Sequence, residues 1–149
     1  MAKILLIHGP NLNLLGQREP SIYGNATLKS VNSKLEHQVL ESKLQFESFQ
    51  SNHEGEIIDR LHQSKKEAVS FIVINPAALT HTSIALRDAF LAIEIPFIET
   101  HLSNISERET FRQVSYLSDI AQGVISGFGV KSYELAIRAA IEYCHHNCV

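Results

Sequence analysis

The chain reads as an α/β protein, a three-layer sandwich in which a five-stranded parallel sheet carries helices on both faces. Three observations predict it. Short apolar runs recur five times, and each is followed by a polar cluster and, for the most part, a stretch of helical period. The run Phe71 to Ile74 is apolar at every position, the mark of a strand buried on both faces and hence of a parallel sheet. At 149 residues the chain is long enough for one substantial core, so residues 1–149 are expected to form a single domain.

The elements follow in order. Residues 3–8 form the first strand, broken by Gly9-Pro10 and followed by the amide-rich loop Asn11 to Gly16. Gln17 to Gly24 has no regular period and is bracketed by glycines, as a mobile lid requires and as any surface loop allows. Leu28, Val31, Leu35 and Val39 form one stripe on a helix from Thr27 to about Glu41. Residues 43–49 make the second strand, ending in Gln50 to Gly55 and leading into a helix with Ile57, Ile58 and Leu61.

The third strand stops at Asn75-Pro76, because proline has no N–H to donate to a central ladder. Thr80 or Thr82 is expected to cap the next helix, with His81 in its first turn. Residues 96–99 form a short fourth strand, residues 106–112 a polar helix-like segment, and residues 123–129 the fifth strand with its exit turn. Ser132 is expected to cap a last helix striped by Tyr133, Ile137, Ala140 or Ile141, and Cys144. Right-handed crossovers then give a flavodoxin-like sandwich.

Composition narrows the function. A net charge of -3 leaves no basic footprint for nucleic acid. No apolar run approaches the ~18 residues that a membrane span needs. The apolar start, Ile4 to Ile7, is short for a secretion signal and enters Gly9-Pro10 without a cleavage pattern, so a cytoplasmic location is expected. Cys144 and Cys148 stand one helical turn apart in a His-containing tail, but the plainer reading is a helix end, and no metal site is expected.

In such a sheet the carboxyl ends of the strands share one edge, where ligands bind. That edge should gather Asn11, Arg18 and Tyr23 after strand one, and His53 and Glu54 after strand two. Asn75 and His81 follow strand three; Glu99, His101, Ser103, Arg108 and Arg112 follow strand four. Glycine-rich phosphate loops of the G-x-G-x-x-G or G-x-x-x-x-G-K kind are missing from the sequence. What remains is acid–base chemistry on a polar organic molecule. Taken singly, these residues favour bland readings: a structural tyrosine, solvated arginines. Their convergence is the signal. A tyrosine titrates near ~10, and surrounding guanidinium groups that lowered it by about three units would supply ~4 kcal/mol. Glu99 lies two positions before His101 and shares its face if the pleat continues that far, which would orient the imidazole as a proton donor.

The blocks Gly9 to Gly24, Gln50 to Gly55, Asn75 to Ser83, Glu99 to Asn104, Arg108 to Arg112 and Gly123 to Gly129 together resemble type II 3-dehydroquinate dehydratase, in order and at matching spacing. The resemblance implies cofactor-free elimination of water from 3-dehydroquinate to 3-dehydroshikimate through an enolate. It makes Tyr23 the phenolate base, Arg18 on the lid a stabiliser of tyrosinate and transition state, and Asn11 the holder of the enolate through a water. His101, oriented by Glu99, becomes the proton donor. It assigns the substrate carboxylate to the backbone N–H groups of Leu102 and Ser103 at a helix start. Asn75, His81, Asp88 and Arg112 then read carboxylate and ring hydroxyls, and Arg108 helps to depress Tyr23. It further implies that Asp88 comes from a neighbouring subunit and that trimers assemble into a homo-dodecamer.

Two departures stand out. Ala77 replaces a usual glycine, and an alanine here implies that positive φ is not needed. Leu79 replaces a usual aromatic and would alter packing at the site wall. The unrelated lysine-dependent barrel enzyme needs a longer chain. A phosphate-receiving module would want an aspartate at a strand end, and a flavin binder a Ser/Thr/Gly loop after strand one; the sequence offers neither.

Overall fold

A computed structural model describes residues 1–17, 21 and 25–148. Five parallel strands, β1 (Lys3–His8), β2 (Gln45–Gln50), β3 (Phe71–Asn75), β4 (Phe97–His101) and β5 (Gly123–Ser126), stand in the order β2-β1-β3-β4-β5. That order reverses direction between β1 and β3, the switch point where doubly wound sheets open a crevice. His8 and Asn75, the last residues of those two strands, are register partners.

Alternation along the strands sorts the core. Ile4, Leu6, Phe71, Val73 and Ile98 face α1 (Leu28–Glu41) and α4 (Lys131–Asn147), meeting Val31, Leu35, Val39, Tyr133, Ala136, Ile137, Ala140 and Cys144. Leu5, Ile7, Ile72, Ile74 and Phe97 face α2 (Glu54–Lys66) and α3 (Ile84–Ile93), meeting Ile57, Leu61, Leu86, Phe90 and Ile93. Each fully buried large side chain is worth about 1.5–3 kcal/mol of transfer free energy. The predicted stripes of α1 and α4 are buried, with Leu28 buried only in part. Among the described residues no helix is long and apolar enough to cross a membrane.

Helix starts differ from expectation in two places. α1 begins as predicted, with Thr27 and Ser30 exchanging side-chain and backbone hydrogen bonds at 3.1 Å in a capping box. Neither Thr80 nor Thr82 caps α3. Ala77–His81 is a 3₁₀ helix of its own, His81 ends it, and Ser83 Oγ caps α3 by accepting the Leu86 N–H at 2.9 Å. Ser132 is likewise not a cap: it lies inside α4, buried, and accepts the Phe128 N–H at 3.0 Å, so it fastens the turn after β5 to the helix.

Strand bounds shift for local reasons. Lys43 takes a left-handed turn (φ 61), which delays β2 to Gln45. β4 runs on through Thr100 and His101, and β5 stops at Ser126 before Gly127 (φ 97). The segment at 106–112 forms two single 3₁₀ turns, Ile105–Glu107 and Thr110–Arg112, because Arg108 is extended between them.

Candidate active site

The carboxyl ends of β1, β3 and β4 open into a cleft that is partly open to solvent. Pro10, Asn11 and Leu12 form its β1 side, and Asn75, Ala77, Ala78 and His81 its β3 side. His101, Leu102, Ser103, Ile105, Arg108 and Arg112 form the β4 side. Eight predicted site residues thus meet in one cavity.

Its geometry begins with Gly9. A Cβ there would lie 2.5 Å from the carbonyl oxygen of Pro76, and the Gly9 N–H donates to Asn75 O at 2.8 Å. The loops leaving β1 and β3 therefore cross backbone to backbone, which only glycine permits. Beyond it, Asn11 holds a left-handed conformation (φ 72), one that asparagine tolerates. Its N–H donates to Asn52 Oδ1 at 2.8 Å, which also receives Gln50 Nε2, so the loop after β2 braces the loop after β1.

At β4 the pleat does continue, and Glu99 and His101 share a face. Glu99 Oε2 accepts from His101 Nε2 at 2.5 Å and from Thr80 Oγ1 at 2.7 Å. Oε1 accepts from Ser118 Oγ at 2.8 Å, and Ser115 Oγ lies 2.9 Å from both oxygens. The carboxylate is 0 % exposed. Burial alone would push its pKa up. The hydrogen bond and charge of His101, with the hydroxyls of Thr80 and Ser118, outweigh burial and hold it below the ordinary carboxylate range. Glu99 is therefore an anion dressed by donors. Since Nε2 faces that anion, any proton exchanged with the cleft moves through Nδ1 of His101.

His81 lies parallel to His101, ring centroids 6.4 Å apart. Its Nδ1 donates to Val114 O at 2.7 Å, which sets the tautomer and leaves Nε2 for a ligand. The same strap, residues 114–118, donates Tyr116 N–H to Thr80 O at 2.8 Å and supplies Ser115 and Ser118 to Glu99. Thr80, Ser115 and Ser118 were missed by sequence reasoning. Ser115 and Ser118 stand three residues apart, the spacing of one turn, but only the path of the strap brings that turn to Glu99.

The two arginines converge on Glu109. Arg112 Nε donates to its Oε2 at 2.8 Å, and Arg108 Nε lies 3.6 Å from Oε1. The hydrogen bond from Arg112, joined by the charges of both arginines, lowers the Glu109 pKa. Arg108 Nη1 also donates to Ser103 Oγ at 3.2 Å. A ligand anion here would exchange places with Glu109 rather than meet bare cations.

Several expectations are corrected. Leu102 and Ser103 line the cleft, but only a single 3₁₀ turn follows them, so no α-helix dipole stands behind their N–H groups. Ala77 does have positive φ (52), because Asn75 Oδ1 captures the Ala77 N–H at 3.1 Å in a side-chain turn. Leu79 packs against the α2/α3 core and does not line the cleft. His53 and Glu54 are exposed at the start of α2 and do not line this cleft, while Asp88, expected to serve a neighbouring subunit, is exposed on α3. Arg18, Tyr23 and most of the expected lid lie outside the described residues.

Comparison with known proteins places this geometry. The family model for "Dehydroquinase class II" matches residues 2–141. The 3-dehydroquinate dehydratase of Hahella chejuensis is 61% identical over 140 residues, 94% of this chain and 95% of that protein. That of Cellvibrio japonicus is 58% identical over 142 residues, covering 95% and 96%. The crystal structure of type II dehydroquinase from Butyrivibrio crossotus superposes with a TM-score of 0.90 at 43% identity, covering 93% of this chain and 96% of that one. With the match running through every strand that builds the cleft, the chain belongs to the class II dehydroquinase family.

Proposed function

We propose that this chain is a 3-dehydroquinate dehydratase of the shikimate pathway, a hydro-lyase that forms 3-dehydroshikimate through an enolate without a cofactor, and that residues 1–149 act as one catalytic domain. The observation that carries the site assignment is the buried Glu99–His101 pair opening on a cleft whose other polar side chains are Asn11, Asn75, His81, Ser103, Arg108 and Arg112. His101, oriented by the Glu99 anion, passes a proton through Nδ1 to the departing C1 hydroxyl, and water leaves. Tyr23 takes the C2 proton as its phenolate, Arg18 stabilises that phenolate and the developing charge, and Asn11 holds the enolate through a water. A proton must then return from Tyr23 to His101, directly or through solvent, to reset both groups.

Binding is assigned to Asn75, His81 and Arg112, with the backbone of Leu102 and Ser103 on the substrate carboxylate and Arg108 lowering the pKa of Tyr23. Asp88 would enter the cleft of a neighbouring copy, in a dodecamer built from trimers in the cytoplasm. The exposure of Asp88 on α3 is compatible with such a contact.

The test is direct. Purified protein given 3-dehydroquinate should raise the absorbance of a conjugated enone, and borohydride should not abolish the activity, because no lysine imine is formed. His101→Ala should lower kcat by about 10²–10⁴-fold, the usual range for a general acid. A near-normal kcat in that variant would remove His101 from the proton-donor role.

A further inference from the structure

The sheet face opposite Glu99 also ends in a polar network, of which the mechanism above uses only Asn75. His8 closes β1, fully buried, with Nδ1 2.8 Å from Tyr133 Oη and Nε2 2.7 Å from Asn32 Oδ1. Tyr133 is the largest fully buried side chain among the described residues and receives Asn75 Nδ2 at 3.0 Å. Asn75 lines the cleft; His8, Asn32 and Tyr133 do not.

Proton counting fixes the direction of every link. The Ala77 N–H can only donate, so the Asn75 atom that it meets is oxygen and the other is the amide nitrogen. That nitrogen donates to Tyr133 Oη. The tyrosine's single proton then goes to His8 Nδ1, which must be bare, so Nε2 carries the ring proton and donates to Asn32 Oδ1. The Asn75 end is closed by a group of fixed polarity, the Ala77 N–H. Flipping Asn75 would set two donors, its amide and the Ala77 N–H, against each other.

We propose that Tyr133, held by His8 and Asn32, is a positioning residue for substrate binding: it fixes the plane of the Asn75 carboxamide and so presents the remaining amide proton to the ligand. This rests on the binding role given above to Asn75. Two further facts agree with it. Burial, opposed by the Asn32 hydrogen bond, lowers the His8 pKa to about 4, so Nδ1 stays an acceptor at neutral pH. Burial likewise raises the Tyr133 pKa, so its proton stays in the link.

A double-mutant cycle tests it. Tyr133→Phe should raise KM by about three- to tenfold, the size of one hydrogen bond, with kcat changed much less, because the contact serves ground and transition states alike. In an Asn75→Ala background the same change should have no further effect on KM. Additive effects, or an unchanged KM, would overturn the proposal. His8→Asn keeps an acceptor near the Nδ1 position and should hold KM within about twofold of the parent, whereas His8→Leu should reproduce the Tyr133→Phe defect; equal behaviour of the two His8 variants also overturns it. A readout without substrate separates this idea from the proposed function. The side-chain amide protons of Asn75 should exchange slowly in the parent and fast in Tyr133→Phe, and equal exchange rates would sink the relay whatever the enzyme turns over.

Discussion

Ala77 shows what a single backbone angle does at the cleft. Its left-handed conformation costs an alanine about 1–2 kcal/mol relative to glycine, and the Asn75 side chain holds it there. Ala77→Gly should therefore stabilise the fold by about 0.5–1 kcal/mol, after subtracting the extra freedom that glycine gains when unfolded. Denaturant titration reads this directly, and a neutral or destabilised variant would mean that the turn carries no strain. The angle could not be read from the sequence, since alanine argues against positive φ unless the side chain two residues earlier is known to capture its N–H. The Glu99–His101 pair was legible, because two residues of one strand share a face by parity alone. Its hydroxyl partners were not: Ser115 and Ser118 lie in a strap with no period, and Thr80 looked like a cap.

At the scale of elements, the cleft depends on how two strand exits cross. The separation of 2.5 Å from a Gly9 Cβ to Pro76 O leaves no side chain to yield, because both partners are backbone. Gly9→Ala must displace the loop with Asn11 or the turn with Ala77. Since active-site geometry tolerates errors of well under an ångström, this variant should lose at least about 10²-fold in kcat/KM while remaining folded by circular dichroism. Full activity would show that the crossing is slack. The strand and helix order followed from periodicity, and all five strands lie where the apolar runs predict. Caps were harder to read. Ser83, Thr80, Thr82 and Ser132 all qualify by type, and only the 3₁₀ turn after Pro76 and the tight exit after β5 decide among them.

For the whole molecule, the two buried networks predict how acid unfolds it. His8 has its folded pKa lowered from 6.5 to about 4, so below pH 6.5 the unfolded chain binds a proton that the folded chain refuses. Its contribution is intact above that value, falls as pH descends to about 4, and then levels, a loss of about 3 kcal/mol in all. Glu99 acts lower: its lowered carboxyl stabilises the fold above the ordinary carboxylate pKa, and that support disappears as pH falls through the folded value. Melting temperatures from pH 7 to 4 should decline for the parent and decline less for His8→Asn. Parallel curves would assign the acid sensitivity to other groups.

The pleat gives the cleft its two unlike walls. Even-numbered Ile4, Leu6 and His8 of β1 align with odd-numbered Phe71, Val73 and Asn75 of β3, and these end in the hydrogen-bonded chain from Asn75 through Tyr133 to His8. Phe97, Glu99 and His101 of β4 end on the other face in an ion pair. A ligand laid across the edge meets the Glu99–His101 ion pair on one side and the Asn75 amide on the other. Which face each group serves is thus written as parity along the strands. Inserting one residue into β4 would turn Glu99 and His101 toward α1 and α4, onto the face that already holds His8 and Asn75, and would part the carboxylate from Thr80, Ser115 and Ser118.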